Sequence, residues 1–177
     1  MARVHYRKAR KDYPDHGIKA GDMYYTAKIK TGPRSSRTIR QLAPIKQSQL
    51  TTSAFKSGWY AAQEALDGAF SIDDARSVAE EIRALGEEAE TAFENMPEGF
   101  QQADTGQLLE ARRDAAYECA DAIETACDDW ESAEEPQEPD YDDDEAVEEY
   151  EDALQEFEQV EADAMDAIRD AVGDMPE

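Results

Sequence analysis

Between residues 23 and 30 apolar and polar positions alternate, with Tyr25, Ala27 and Ile29 on one side and Tyr24, Thr26, Lys28 and Lys30 on the other. That period of two predicts a half-buried β-strand. Thr31-Gly32-Pro33-Arg34 supplies turn residues, and residues 35–40 predict a return strand carrying Arg37 and Arg40. Upstream, Val4 and Tyr6 alternate with His5 and Arg7, which permits a further short strand. Tyr13-Pro14-Asp15-His16-Gly17 and Lys19-Ala20-Gly21-Asp22 read as turns, with Gly21 able to take a positive φ at no steric cost.

Beyond the hairpin the period changes. Phe55, Trp59, Ala62, Leu66 and Phe70 lie at spacings of 4, 3, 4 and 4, which predicts a first helix capped somewhere within residues 48–52, with Trp59 and Tyr60 as core aromatics. Ser71-Ile72-Asp73-Asp74 is a capping box with Asp at its third position. The stripe Ile72, Ala75, Ala79, Ile82, Gly86, Ala89, Phe93 and Met96 then predicts a second helix ending before Pro97. After a loop over residues 97–106, Leu109, Arg112, Ala116, Cys119, Ile123, Ala126 and Trp130 mark a third helix reaching about residue 135. Pro136 and Pro139 open an acidic linker over residues 136–145. A fourth helix follows on Ala146, Tyr150, Ala153, Phe157, Val160, Ala164, Ile168 and Ala171. Residues 92–98 and 171–177 resemble each other, so the second and fourth helices share an ending by duplication or by coincidence.

The expected class is therefore α+β: a small basic antiparallel β-sheet module over residues 1–60, followed by an acidic antiparallel helical bundle or coiled coil. Residues 61–135 form a helical hairpin, 136–145 a linker and 146–177 a terminal helix packed on the bundle. Charge sharpens this division. The first 60 residues hold 13 Lys and Arg against 3 Asp and Glu, a net of +10, whereas the remaining 117 hold 5 against 40, a net of −35. A uniformly acidic surface, as in adaptation to high salt, would not leave a basic block at one end, so two functional surfaces are expected. Cys119 and Cys127 are eight residues apart on one helix, about 12 Å along its axis and too far for a disulfide; buried thiols in a reducing compartment are expected. No apolar run approaches the ~20 residues of a membrane helix, and the charged N-terminus has no signal-peptide pattern. These features predict a cytoplasmic protein with no membrane partner.

No phosphate loop, nucleophile elbow or zinc spacing is present, and His5 and His16 stand apart from both cysteines. The expectation is a non-enzyme without cofactor or metal. Asp142, Asp143 and Asp144 lack the spacing and glycine of an EF-hand loop. Basic residues interleaved with tyrosines suit nucleic acid, because the cations displace counterions and ring faces stack on bases. The candidate contacts are Arg7, Lys8, Arg10, Lys11, Tyr24, Lys28, Lys30, Arg34, Arg37 and Arg40. Intramolecular docking on the acidic helices is the competing use of the same charge. The densest acidic face, Glu145, Glu148, Glu149, Asp152, Glu156, Asp163 and Asp166, either is solvated or imitates the phosphate rows of DNA, one charge per ~1.7 Å of duplex axis.

The hairpin, with Tyr24-Tyr25, the Gly32 turn and Arg37, resembles the arm-type DNA-binding modules of phage integrases. The turn of residues 17–22 is similar to the hairpin of PARP-type zinc fingers, whose Cys and His ligands are missing here. More of the chain resembles a group of uncharacterised phage-encoded proteins, through Ala9-Arg10-Lys11-Asp12-Tyr13-Pro14, residues 17–25, Ser48-Gln49-Leu50-Thr51, Asn95-Met96-Pro97-Glu98-Gly99-Phe100 and residues 105–110. That resemblance implies a viral or mobile-element context and brings no activity. The expected role is a phage accessory protein that binds DNA or RNA through its basic module and a basic host or viral protein through its acidic helices. The alternative is a DNA-mimic inhibitor of a host defence enzyme, and a third is a structural virion protein. Alanine-rich stripes bury little area, so homo-oligomer formation through the helices is also expected.

Overall fold

The computed structural model describes residues 2–68, 70–138, 144–173 and 175–176, for 144 and 145 the backbone only. The chain divides into two compact units, Met1–Glu64 and Ala65–Glu177.

In the first unit, β1 (Val4–Lys8), β2 (Met23–Lys30) and β3 (Ser36–Gln41) form an antiparallel sheet in the order β1-β2-β3. The β1–β2 register pairs Tyr6 with Tyr25, and the β2–β3 register pairs Ala27 with Ile39. The loop from Ala9 to Asp22 folds back on itself. Ala9 N–H donates to the Asp22 carbonyl at 2.7 Å, and Gly21 N–H returns a bond to the Ala9 carbonyl at 2.8 Å. Tyr13 and Ile18 exchange backbone bonds of 2.8 and 3.2 Å around a short turn at Pro14–His16. Gly17 at φ 65° and Gly21 at φ 101° close these turns in the left-handed region, where a Cβ would be strained. The loop thereby delivers Ala9, Ile18 and Tyr13 onto Tyr24 as a small core.

Helix α1 (Ala54–Leu66) starts later than residues 48–52 suggested. Residues Gln47–Leu50 instead make a 3-10 turn, and Ser53 caps the helix, its Oγ accepting from Lys56 N–H at 3.4 Å. Glu64 explains why Ser48 is no cap: its carboxylate accepts from Ser48 N–H and Oγ at 3.1 and 2.7 Å. The predicted stripe Phe55, Trp59, Ala62 and Leu66 is buried, whereas Phe70 is buried beyond the helix end. Tyr60 is half-buried.

The second unit contains α2 (Ile72–Glu94), the single turn α3 (Glu98–Gln101), α4 (Asp104–Ser132) and α5 (Asp144–Ala171). α4 packs against both α2 and α5. The capping box is formed: Ser71 Oγ accepts from Asp74 N–H at 3.2 Å, and the Asp74 carboxylate accepts from Ser71 N–H at 3.0 Å. Those bonds from Ser71 hold Asp74 below its ordinary carboxyl value. The seam is made of small residues, with Ala75, Ala79, Gly86 and Ala89 on α2 against Ala116, Cys119, Ala120 and Ala126 on α4, and Ile82 and Ile123 as its large members. Arg83 bridges α2 to Glu124 and Asp121 of α4, and Arg76 bridges to Asp128 and Glu131. The hydrogen bonds from Arg83 in turn depress the Glu124 carboxyl.

Four expectations change here. The loop after Pro97 is partly helical, because Gln101 Nε2 caps the end of α2 by donating to the Phe93 and Met96 carbonyls at 3.3 and 3.1 Å. α4 ends at Ser132 rather than near 135. On α5 the stripe is fully buried only at Ala164 and Ile168, with Val160 40% exposed and Tyr150, Ala153 and Phe157 half-buried. The linker spans 136–138 before its remaining residues 139–143 fall outside the described ones, and α5 begins inside the expected linker, at Asp144. The echo of residues 92–98 includes 174 and 177, which also lie outside them.

Gly106 lies against the α3 turn, where an added Cβ would overlap the Gln101 carbonyl oxygen. Gly106→Ala is expected to cost about 1–3 kcal/mol by prising α3 from α4, read as a lower urea midpoint with an unchanged slope. Both cysteines are free and buried. Burial pushes the Cys119 thiol up to about 11 and raises Cys127 as well. With the folded value above the unfolded one, this contribution to stability is complete below the ordinary thiol range and is lost as pH rises towards about 11. Alkylation at about pH 8 should therefore be at least about a hundredfold slower in the native chain than in urea.

Candidate nucleic-acid interface

Cross-strand partners in an antiparallel sheet project to the same side, and successive residues to opposite sides. The register therefore sorts the predicted basic residues. Arg7 stands opposite Tyr24, Arg40 opposite Thr26, Lys28 opposite Thr38 and Lys30 opposite Ser36, which puts all four cations on one face. Arg37 stands opposite Ile29 and Lys8 opposite Met23, so both belong to the other face. Arg37 is also occupied, its Nη2 donating to the Gln49 carbonyl at 3.3 Å. It is withdrawn from the site: Arg37 and Arg40 are three residues apart, an odd number, and cannot share a face of one strand.

Tyr24 changes role too. It is on the cationic side, as the alternation predicts, but is only 7% exposed because Ala9, Ile18 and Tyr13 cover it. Its ring is a floor for the site and offers no surface for a base. Tyr13, which the sequence places in a turn, is the residue that reading missed. Its ring lies 5.7 Å from Tyr24, with the Arg40 guanidinium 5.0 Å and the Lys11 ammonium 5.6 Å from its centroid. The ring holds two cations beside the sheet. The signal available in the sequence was its position beside Pro14, where a turn returns the chain towards the strand that follows.

Arg7, Lys8 and Arg10, at and just beyond the end of β1, line a groove of about 760 Å³ with Ala9, Tyr13 and Tyr24. Arg34 is exposed in the β2–β3 turn, which Thr31 and Ser35 close through a 3.1 Å backbone bond. Among the described residues, no carboxylate pairs with Arg7, Lys8, Arg10, Lys11, Lys28, Lys30, Arg34 or Arg40. The nearby acids serve the backbone instead. Asp12 accepts from Ala20 N–H at 2.6 Å and Asp22 from Lys19 N–H at 2.8 Å. The result is a cationic face, exposed at Arg7, Lys28 and Lys30 and half-buried at Arg40, without ion pairs among the described residues, a surface that attracts polyanions.

The acidic candidates lie on α5. Glu148, Glu149, Asp152, Glu156, Asp163 and Asp166 are all exposed, while the side chain of 145 is outside the described residues. Asp163 accepts from Gln159 at 2.6 Å, and Asp166 pairs with Arg169 at 3.1 Å. Arg169 also ties α5 to the connection between α1 and α2, donating to the Leu66 and Gly68 carbonyls at 3.3 and 3.4 Å and lying 5.3 Å from the Phe70 ring. Among the described residues, no group of three His, Cys, Asp or Glu is placed to hold a metal ion, and no helix is long and apolar enough to cross a membrane. Comparisons with protein-family models, curated proteins and solved structures found no match.

Proposed function

We propose that this chain is a non-enzymatic accessory protein of phage type, acting in the host cytoplasm, which binds nucleic acid through the outer face of its sheet. The observation that carries the reading is the unneutralised set Arg7, Lys28, Lys30 and Arg40 on one face, with Lys11 and Arg10 beside it. Four to six cations held this way would release a similar number of counterions from a phosphate backbone, so affinity should fall steeply with salt. A salt titration of full-length protein against labelled nucleic acid tests this; binding that is absent at low salt, or insensitive to salt, rejects it. In this reading the acidic helices meet a basic host or viral protein.

A second reading has its own support in α5. Its 28 residues carry 12 carboxylates, about one per 3.5 Å of helix axis, close to the ~3.4 Å per phosphate along one DNA strand. α2 and α4 instead spend Arg76 and Arg83 on their carboxylates. As a DNA mimic the protein would inhibit a host defence nuclease. Glu149→Lys, Asp152→Lys and Glu156→Lys together should abolish inhibition of DNA cleavage by purified restriction endonucleases, and a variant that inhibits as well as the parent rules mimicry by this face out.

A further inference from the structure

Resting on the nucleic-acid reading, we infer that the cationic face takes the phosphate backbone of a double helix in preference to single strands. Proteins that hold single strands combine cations with free ring faces, each stacked base contributing about 1–3 kcal/mol. No free ring stands among Arg7, Lys28, Lys30 and Arg40. Tyr24 is 7% exposed under Ala9 and Ile18. Tyr13 has Tyr24 against its ring, with Arg40 and Lys11 over it at 5.0 and 5.6 Å. The exposed Tyr6, its ring centroid 4.6 Å from that of half-buried Tyr25, belongs to the opposite face by register.

What the face does offer is spacing. Lys28 and Lys30 are about 6.6 Å apart along β2, and from Lys30 to the level of the Tyr24–Arg7 pair the strand runs about 20 Å. That is roughly six steps of duplex at ~3.4 Å per phosphate on a strand. Exposed Ser36 and Thr38 add hydroxyl donors on the same side, which suits phosphate oxygens. The sheet sets the spacing of these cations, so both ligands meet the same side-chain ordering cost, but a single strand must also order its own backbone and here gains no stacking in return.

The test uses full-length protein and fluorescence anisotropy with a labelled duplex of about 20 base pairs, as DNA and as RNA, and with each separated strand, over a salt series. A duplex of either kind should bind about tenfold tighter than its strands, with a log–log salt slope near −4 that Lys28→Ala with Lys30→Ala reduces by about 2. Tyr6→Ala, on the opposite face, should change neither value. Strands that bind as tightly as the duplex, or a Tyr6→Ala variant that loses affinity, overturn this inference while leaving nucleic-acid binding in place. Absence of salt-sensitive binding to every duplex and every strand overturns both.

Discussion

Full-length protein carrying Lys28→Glu, Lys30→Glu and Arg40→Glu is expected to lose at least about a hundredfold in nucleic-acid affinity at moderate salt, with a salt slope lower by about 3. The three cations lie on one face of β2 and β3 and have no carboxylate partner among the described residues, so their removal deletes phosphate contacts without releasing a buried acid. Lys28 and Lys30 are exposed, and their replacement should leave the fold intact. Arg40 also covers Tyr13, and losing that contact costs about 0.5–1 kcal/mol, small enough to be tolerated and visible in a urea titration. The matched control is Arg37→Glu. One charge reversed on the opposite face, where the guanidinium bonds to Gln49, should weaken binding far less than any one of the three. If Arg37→Glu is as damaging as Arg40→Glu, the effect is the net charge of the unit and the face has no special part.

The second large effect is on stability. Ile123→Ala is expected to destabilise the helical unit by about 3–4 kcal/mol and to lower its melting temperature by about 10 °C. Ile123 and Ile82 are both 0% exposed in a seam whose other buried residues are Ala, Gly and Cys apart from Val78. Alanine neighbours cannot reach into the space an isoleucine leaves, because they have no rotamers, so the cavity stays open and its full cost is felt. Such a loss is a large part of the 5–15 kcal/mol typical of a domain. Val160→Ala should change stability by less than about 0.5 kcal/mol, since that side chain is 40% exposed. Equal losses at both positions would mean that α5 is packed along its whole length.

The Val160 position shows how far periodicity reaches. The stripes on α2 and α4 are buried through their middle turns, from Ala75 to Ala89 and from Ala116 to Ala126, because the two helices pack on each other there. The α5 stripe has the same spacing, yet its fully buried residues, Ala164 and Ile168, are confined to the C-terminal half of the helix. A repeat states which side of a helix is apolar; whether a neighbour extends far enough to cover it is a property of two elements. The first helix shows the same limit at its start. Several hydroxyl residues can cap, and the choice of Ser53 over Ser48 depends on Glu64, a turn and a helix away.

The sheet site was legible in part. Alternation along β2 assigns Lys28 and Lys30 to one side, and the odd separation of Arg37 from Arg40 along β3 puts those two on opposite sides. Alternation alone also makes Tyr24 an exposed companion of those lysines, which is wrong because the loop from Ala9 to Asp22 folds over it.

The chain itself thus determined the three long helices, the hairpin, the glycine turns and the division of charge, all of which follow from local period, backbone freedom or simple addition along the sequence. Tertiary structure alone decided which cations share a face, that Tyr13 holds Arg40 and Lys11 beside it, and how much of α5 is buried. These depend on strand register and on packing between segments distant in sequence, where the energy belongs to the pair and is not written in either member.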